Sequence, residues 1–208
     1  MGQLLKTELE WRSQKKLNRR LQMADFPFER EWAQINAAKN PKINFNKLKQ
    51  YSDGKFLEGK NNLCLIGAPG LGKTHGLVSI GRKLCRGGHT VLFYTAIELV
   101  TDLEEAKKEN RLSKLMDKIR KIDLLIIDEL GFVPLSDNGA RLLFDVFSKR
   151  YENGSIAVST NLSLPKWVQT FGSIELTNAL IDRFTHRCDI FVFEGESFRF
   201  QESKSKKK

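Results

Sequence analysis

The chain has 208 residues, 40% hydrophobic and 29% charged, enough for one well-buried α/β domain with a short appendage and too few for two full domains. No apolar run approaches the roughly 18 residues that cross a bilayer, and no signal peptide opens the chain, so neither a membrane protein nor a secreted one is expected. The net charge of +10 is clustered, with Arg12, Lys15, Lys16, Arg19 and Arg20 in a stretch without acids, while Cys64, Cys85 and Cys188 lack any paired spacing and suggest reduced core thiols in a cytoplasmic setting.

In chain order, residues 1–25 predict a helical arm, since Leu5, Leu9, Leu17 and Leu21 share one narrow stripe and Pro27 stops the pattern. Its other faces are basic, which fits either a solvated surface or a polyanion partner. Residues 26–60 carry Phe26, Phe28, Trp32, Phe45, Leu48, Tyr51 and Phe56 among polar neighbours and read as a linker with one helix near 44–51. From residue 61 to 195 short β-rich runs alternate with helical patterns. The strands are expected at 63–66, 90–94, 124–127, 155–159 and 188–193, and the helices at 73–86, 97–121 (broken near Asn110), 137–153 and 176–184, with Trp167 and Phe171 on a short one. This alternation implies a parallel sheet flanked by helices. Residues 196–208 form a basic tail, and no separate C-terminal lid domain is expected.

Between the first strand and the first long helix stands Gly67-Ala68-Pro69-Gly70-Leu71-Gly72-Lys73-Thr74, the phosphate-loop pattern GxxxxGK[ST], or Walker A. Its glycines let backbone N–H groups turn inward around phosphates at a helix N-terminus. Lys73 supplies a point charge for the outer phosphates, and Thr74 a hydroxyl for Mg²⁺. His75, next in the chain, is grouped with the nucleotide-binding stretch, although phosphoryl transfer to water needs no histidine there. The aromatic residues of the linker are where a base pocket would be sought.

The run Leu124-Leu125-Ile126-Ile127-Asp128-Glu129, four apolar residues and then two acids, is a Walker B signature. Asp128 would hold Mg²⁺, mostly through waters, and Glu129 would polarise an attacking water. Asn161 ends the Ser159-Thr160-Asn161 strand at the same sheet edge, either as a sensor of the γ-phosphate or as a simple strand end. Arg183 follows on a helix, where it serves either as a finger reaching a neighbouring subunit's γ-phosphate or in an ion pair with Asp182 or Asp189, with Arg150 and Arg187 in reserve.

The segments GAPGLGKTH, DLLIIDELGFVPL, LLFDVFSKRYE, STNLSLPKW, Phe171-Gly172, LIDRFTHR and GESFRF together resemble the IstB-like transposition helper ATPases of bacterial insertion sequences, relatives of the DnaC-like helicase loaders in the AAA+ class, over most of the chain. The resemblance implies a P-loop NTPase fold of AAA+ type and an Mg²⁺-dependent ATPase. It implies oligomers on DNA, with ATP at subunit interfaces and a transposase recruited or activated; because lysine and arginine patches neutralise phosphates without reading base edges, the DNA contacts are expected to be mostly to the backbone with little sequence preference. The family's roles fall on Lys73, Thr74, Asp128, Glu129 and Asn161, with Arg183 matching the finger. Two departures stand out: the chain begins later than members with further N-terminal helices, as a shortened copy would, and Ser173 replaces an acid after Phe171-Gly172. Alternatives are a helicase loader acting on a replicative helicase, a small-molecule kinase and a non-catalytic ATP-dependent interaction protein. Glu129 beside Asp128 argues for hydrolysis over the kinase.

Overall fold

Five short β-rich runs, most of them continuously apolar, set the architecture. The computed structural model describes residues 2–35 and 43–195, with side chains from residue 8 onward; the residues of the expected basic tail, 196–208, lie outside the described ones. Strands β1 (Asn62–Gly67), β2 (Val91–Thr95), β3 (Leu124–Leu130), β4 (Ser155–Thr160) and β5 (Cys188–Phe193) pair in parallel in the order β2-β3-β4-β1-β5. Strands β1–β4 divide their side chains between two cores, whereas β5 leaves Ile190 and Val192 exposed. Leu63, Leu65, Phe93 and Ile126 enter one, and Cys64, Leu92, Leu125, Ile127 and Val158 the other. The expected parallel sheet flanked by helices is therefore present.

The first core lies under α4 (Lys73–Arg86), and the second under α5 (Ala96–Lys108), α6 (Leu112–Lys121), α7 (Asp137–Arg150) and α9 (Ile174–Thr185). Helices α5 and α6 are separate because Asn110 takes a left-handed φ of 55°, close to the predicted break. The α7 helix stops at Arg150, three residues earlier than the pattern suggests, because Glu152 turns the chain with a φ of 65°. The Trp167–Phe171 stretch divides into a 3₁₀ turn, Leu164–Trp167, and a single-turn α8, Val168–Phe171. Ser173 caps α9 through its Oγ, which accepts from the Leu176 N–H at 3.2 Å, so the residue replacing an acid here still closes a helix terminus.

The arm helix α1 (Gly2–Ala24) docks by its C-terminal half: Leu17 and Leu21 pack on the α4 core, Ala24 is fully buried, and Arg20 Nε donates to the Cys85 carbonyl at 2.9 Å. Its N-terminal half leaves Leu9 and Trp11 exposed. The stretch expected as a linker is packed against the same core. Phe45 and Leu48 of α2 (Phe45–Gln50), Tyr51, and Phe56 and Leu57 of α3 (Lys55–Glu58) are buried there, and the Tyr51 hydroxyl donates to Asp189 on β5. Those aromatics were spaced without a period because they sit on short helices and turns.

Arg150 is a core residue, only 1% exposed. Its Nη1 donates to the carbonyls of Ile119 (2.6 Å) and Ile122 (3.1 Å), and its Nη2 to those of Asp123 (3.0 Å) and Ser155 (2.6 Å). Burial lowers its pKa to about 10, so it stays charged at neutral pH. A guanidinium spent in this way cannot reach a neighbouring subunit, which removes Arg150 from the finger candidates. Arg150→Met leaves four buried or partly buried carbonyls short of a donor and is expected to cost about 3–5 kcal/mol. Thermal denaturation checks this as a Tm lower by roughly 10 °C.

Candidate nucleotide-binding site

Parallel strands of one sheet bring their C-terminal ends to a common edge, and here that edge opens into a cleft of about 950 Å³ lined by Gly70, Leu71, Gly72, Lys73, Thr74, His75, Asp128, Glu129, Ser159, Thr160 and Asn161. The phosphate loop leaves β1 and enters α4 through two left-handed glycines, Gly70 (φ 80°) and Gly72 (φ 88°), conformations that side chains resist. Gly67 has a second reason for lacking a side chain, because a Cβ there would lie 2.3 Å from the Phe193 carbonyl oxygen on β5. Lys73 Nζ donates to the carbonyls of Gly67 (2.7 Å) and Ala68 (2.9 Å) and is thereby held over the loop.

Asp128 is 3% exposed, and two hydroxyls converge on its Oδ1: Thr74 Oγ1 at 3.2 Å from the head of α4, and Ser159 from the neighbouring strand β4. The serine oxygen in turn accepts the Glu129 N–H at 3.0 Å. β3 bulges here. The β3–β4 register shifts between Ile127 and Leu130, and Glu129 takes a φ of 57°, so that Asp128 and Leu130 are buried while Glu129 stands exposed in the cleft. An acidic residue held in the left-handed region costs on the order of 1–3 kcal/mol and is characteristic of sites where side-chain direction matters.

The structure thus brings Lys73, Thr74, Asp128, Glu129 and Asn161 to one cleft, with Asn161 exposed on its wall. Gly67 and Ala68 lie beneath it as acceptors for Lys73, and Pro69 is on its rim. His75 is half-buried at its side, Nε2 3.3 Å from the Glu31 carbonyl oxygen, and burial lowers its pKa. Arg183 is elsewhere. Its Nη1 donates to Ser148 Oγ at 2.9 Å and its guanidinium lies 5.0 Å from the Phe144 ring, near the start of β1 and β4, so the expected partner Asp182 or Asp189 is replaced by α7. A six-residue strand separates that end from the phosphate loop by about 20 Å. Ser159 was not assigned a role from the sequence; only its place beside Asn161 hinted at one. Asp25, Phe26, Phe28 and Arg30 also line the cleft, where a base pocket was to be sought.

Thr74 Oγ1 and the Asp128 carboxylate are hard oxygen donors already in contact, a set that suits Mg²⁺, which takes one or two protein oxygens and shares the rest with phosphate and water. Burial raises the Asp128 pKa, opposed by the Ser159, Thr74 and Glu129 hydrogen bonds and the Lys73 charge.

The family model described as IstB-like ATP binding protein matches residues 1–206. A Pseudomonas aeruginosa protein named for ATP binding in insertion sequence IS21 is 32% identical over 200 residues, 96% of this chain and 76% of the relative. A Geobacillus stearothermophilus counterpart from IS5376 is 31% identical over 201 residues, 97% of this chain and 80% of its own length. Among solved structures, the DnaC helicase loader superposes with a TM-score of 0.64 at 20% identity over 85% of this chain and 99% of its own. AMPPCP-bound DnaA from Aquifex aeolicus gives 0.69 at 18% over 88% and 55%. At these identities the two structures show a common fold.

Two outcomes are expected of this network. A folded-state pKa above the unfolded one means the native state holds the extra proton between the two values, so Asp128 costs stability in full above its raised pKa and the cost disappears as pH falls towards the unfolded value. Asp128→Asn keeps the acceptor oxygen, and is expected to raise the Tm of the nucleotide-free protein at pH 7 by an amount that shrinks as melts are taken at lower pH. Ser159→Ala leaves both the Glu129 N–H and the Asp128 carboxylate short of a partner and is expected to lower the Tm by roughly 5 °C, read by thermal denaturation.

Proposed function

The chain belongs to the family of IstB-like ATP-binding proteins, and on that premise we propose that it is an Mg²⁺-dependent ATPase that assembles on DNA and recruits or activates the transposase of an insertion sequence. The observation that carries the hydrolytic part is the bulge that turns Glu129 into a cleft already holding Lys73, Thr74, Asp128 and Asn161. Lys73 binds the outer phosphates and Thr74 with Asp128 holds the cation, which supplies charge neutralisation when bound. Glu129 orients a water and takes its proton as the oxygen attacks the γ-phosphorus and the bond to the β,γ-bridging oxygen breaks, giving ADP and phosphate, while the Asn161 amide positions that water or the phosphate.

Arg183 lies at the other end of the sheet and acts, in this reading, on the nucleotide of an adjacent copy, which makes turnover depend on assembly. DNA is held by the exposed cations Arg12, Lys15, Lys16 and Arg19 on the solvent-facing side of α1. Arg20 is engaged with Cys85, so it serves docking. The relatives' insertion-sequence names favour a transposase partner over a helicase, because the likeness to DnaC is one of fold. Recovery of a replicative helicase without transposase in a pull-down would reverse that choice.

Glu129→Gln is expected to bind ATP but hydrolyse it about 10²–10⁴-fold more slowly, and Lys73→Ala to lose binding; phosphate release and calorimetry check both. Turnover that survives Glu129→Gln overturns the mechanism. For DNA, the combined Lys15→Ala, Lys16→Ala and Arg19→Ala variant is expected to weaken binding equally on unrelated sequences and to reduce the log–log salt slope by about 3.

A further inference from the structure

The helix that presents the phosphate loop also anchors the segment leading into the domain. Residues 25–35 cross α4 and are fastened at two places. Phe26 covers Gly81, where an added Cβ would lie 2.7 Å from the ring, and stands 6.2 Å from the Phe93 ring. Five residues on, the Glu31 carboxylate accepts from Arg86 Nη2 (2.6 Å) and Nη1 (2.9 Å) and from Arg82 Nε (3.3 Å). Arg82 is buried to 8% exposure and also lies 3.5 Å from Glu29, so this is not a loose surface pair. The Glu31 carbonyl oxygen meets His75, the residue after Thr74. Trp32 Nε1 donates to Ser52 Oγ at 2.8 Å, closing the crossing at its far end.

Between these fastenings Phe28 and Arg30 line the same cleft as Lys73 and Thr74, the Arg30 guanidinium 5.8 Å from the Phe28 ring. The segment also continues from α1, which α4 holds through Arg20 and Cys85. Arm, cleft wall and phosphate loop are thus attached to one helix.

We infer that Glu31 is a positioning residue for the nucleotide. It pins residues 25–35 to α4 so that Phe26, Phe28 and Arg30 enclose the base and ribose of the molecule whose phosphates Lys73 and Thr74 bind. Filling of the cleft and docking of the basic arm are therefore coupled, and each strengthens the other. Phosphate contacts do not depend on Glu31. This rests on the ATP-binding reading of the cleft and adds which residues hold the non-phosphate end.

The test compares ATP with inorganic tripolyphosphate on the full chain by calorimetry. Glu31→Ala loosens one wall against the base and is expected to weaken ATP about 5- to 100-fold while tripolyphosphate affinity stays within about twofold. Arg86→Met, a change outside the cleft, is expected to reproduce that split, and the double variant to be no worse than either single one. Trypsin cleavage at Arg12–Arg20 is expected to be slowed by ATP in the parent chain, not by tripolyphosphate, and to be fast in Glu31→Ala with or without ATP. Parallel loss of both ligands in Glu31→Ala, or unchanged affinity for both, overturns the positioning role. If the parent chain itself binds ATP no better than Lys73→Ala does, the nucleotide reading fails instead.

Discussion

One buried carboxylate governs the geometry of the cleft. Asp128 joins the head of α4, through Thr74, to the end of β4, through Ser159, although β4 is the strand that separates β3 from β1 in the sheet. An ionised acid at 3% exposure is tolerable because each of those hydroxyls gives it a hydrogen bond and Lys73 adds charge. The same serine accepts the Glu129 N–H, and this is what a left-handed residue at the end of a parallel strand needs to remain there. Displacing Asp128 would therefore disturb Thr74, Glu129 and the loop lysine together. That interdependence makes the site more rigid than a list of its residues conveys.

The turn that follows extends this constraint to the Asn161 side of the cleft. Gly131 has a φ of 89°, and a Cβ on it would lie 2.6 Å from Leu162 and 3.2 Å from Thr170 Oγ1. The chain leaving Glu129 thus packs directly on the chain leaving Asn161. Thr160 Oγ1 accepts the Leu162 N–H at 3.0 Å, which sets the shape of that second turn. Glycine at 131 satisfies both needs at once, the backbone angle and the close approach.

Much of this was legible because the signals are local. A phosphate loop must supply its glycines, lysine and threonine within eight consecutive residues, and strands buried on both faces must be continuous apolar runs, so Gly67–Thr74 and Leu124–Glu129 could be read directly. Ser159 could not be assigned, since its role arises only from the pairing of β4 with β3, and a serine ending a strand is otherwise unremarkable. The segment 26–60 was read as a linker with one helix near 44–51 for a similar reason: short helices give too few turns for a period, although Leu48, Phe56 and Leu57 are as buried as strand residues. Arg150 shows the opposite failure. A long cation in a helix suggests solvent or phosphate, and nothing in its neighbours announces that it will satisfy carbonyls at the start of β4 and the end of α6.

The position of Arg183 follows from where α9 must lie to cover the sheet. Phe184 and Leu180 are buried in the core that also takes Trp167 and Phe147, and Asn62 Nδ2, at the start of β1, donates to the Phe184 carbonyl at 2.8 Å. That contact fixes the C-terminal end of α9 at the sheet edge opposite the phosphate loop. Arg183 is one residue earlier and leans on Phe144 and Ser148 of α7, its guanidinium over the Phe144 ring while Nη1 donates to the serine. Within its own chain the side chain is therefore about a strand length from Lys73, well beyond its reach. Any direct action on a γ-phosphate must cross to another subunit. A site whose cation donor, acid and sensor come from one chain and whose last charge comes from the next would couple phosphate chemistry to assembly through geometry alone.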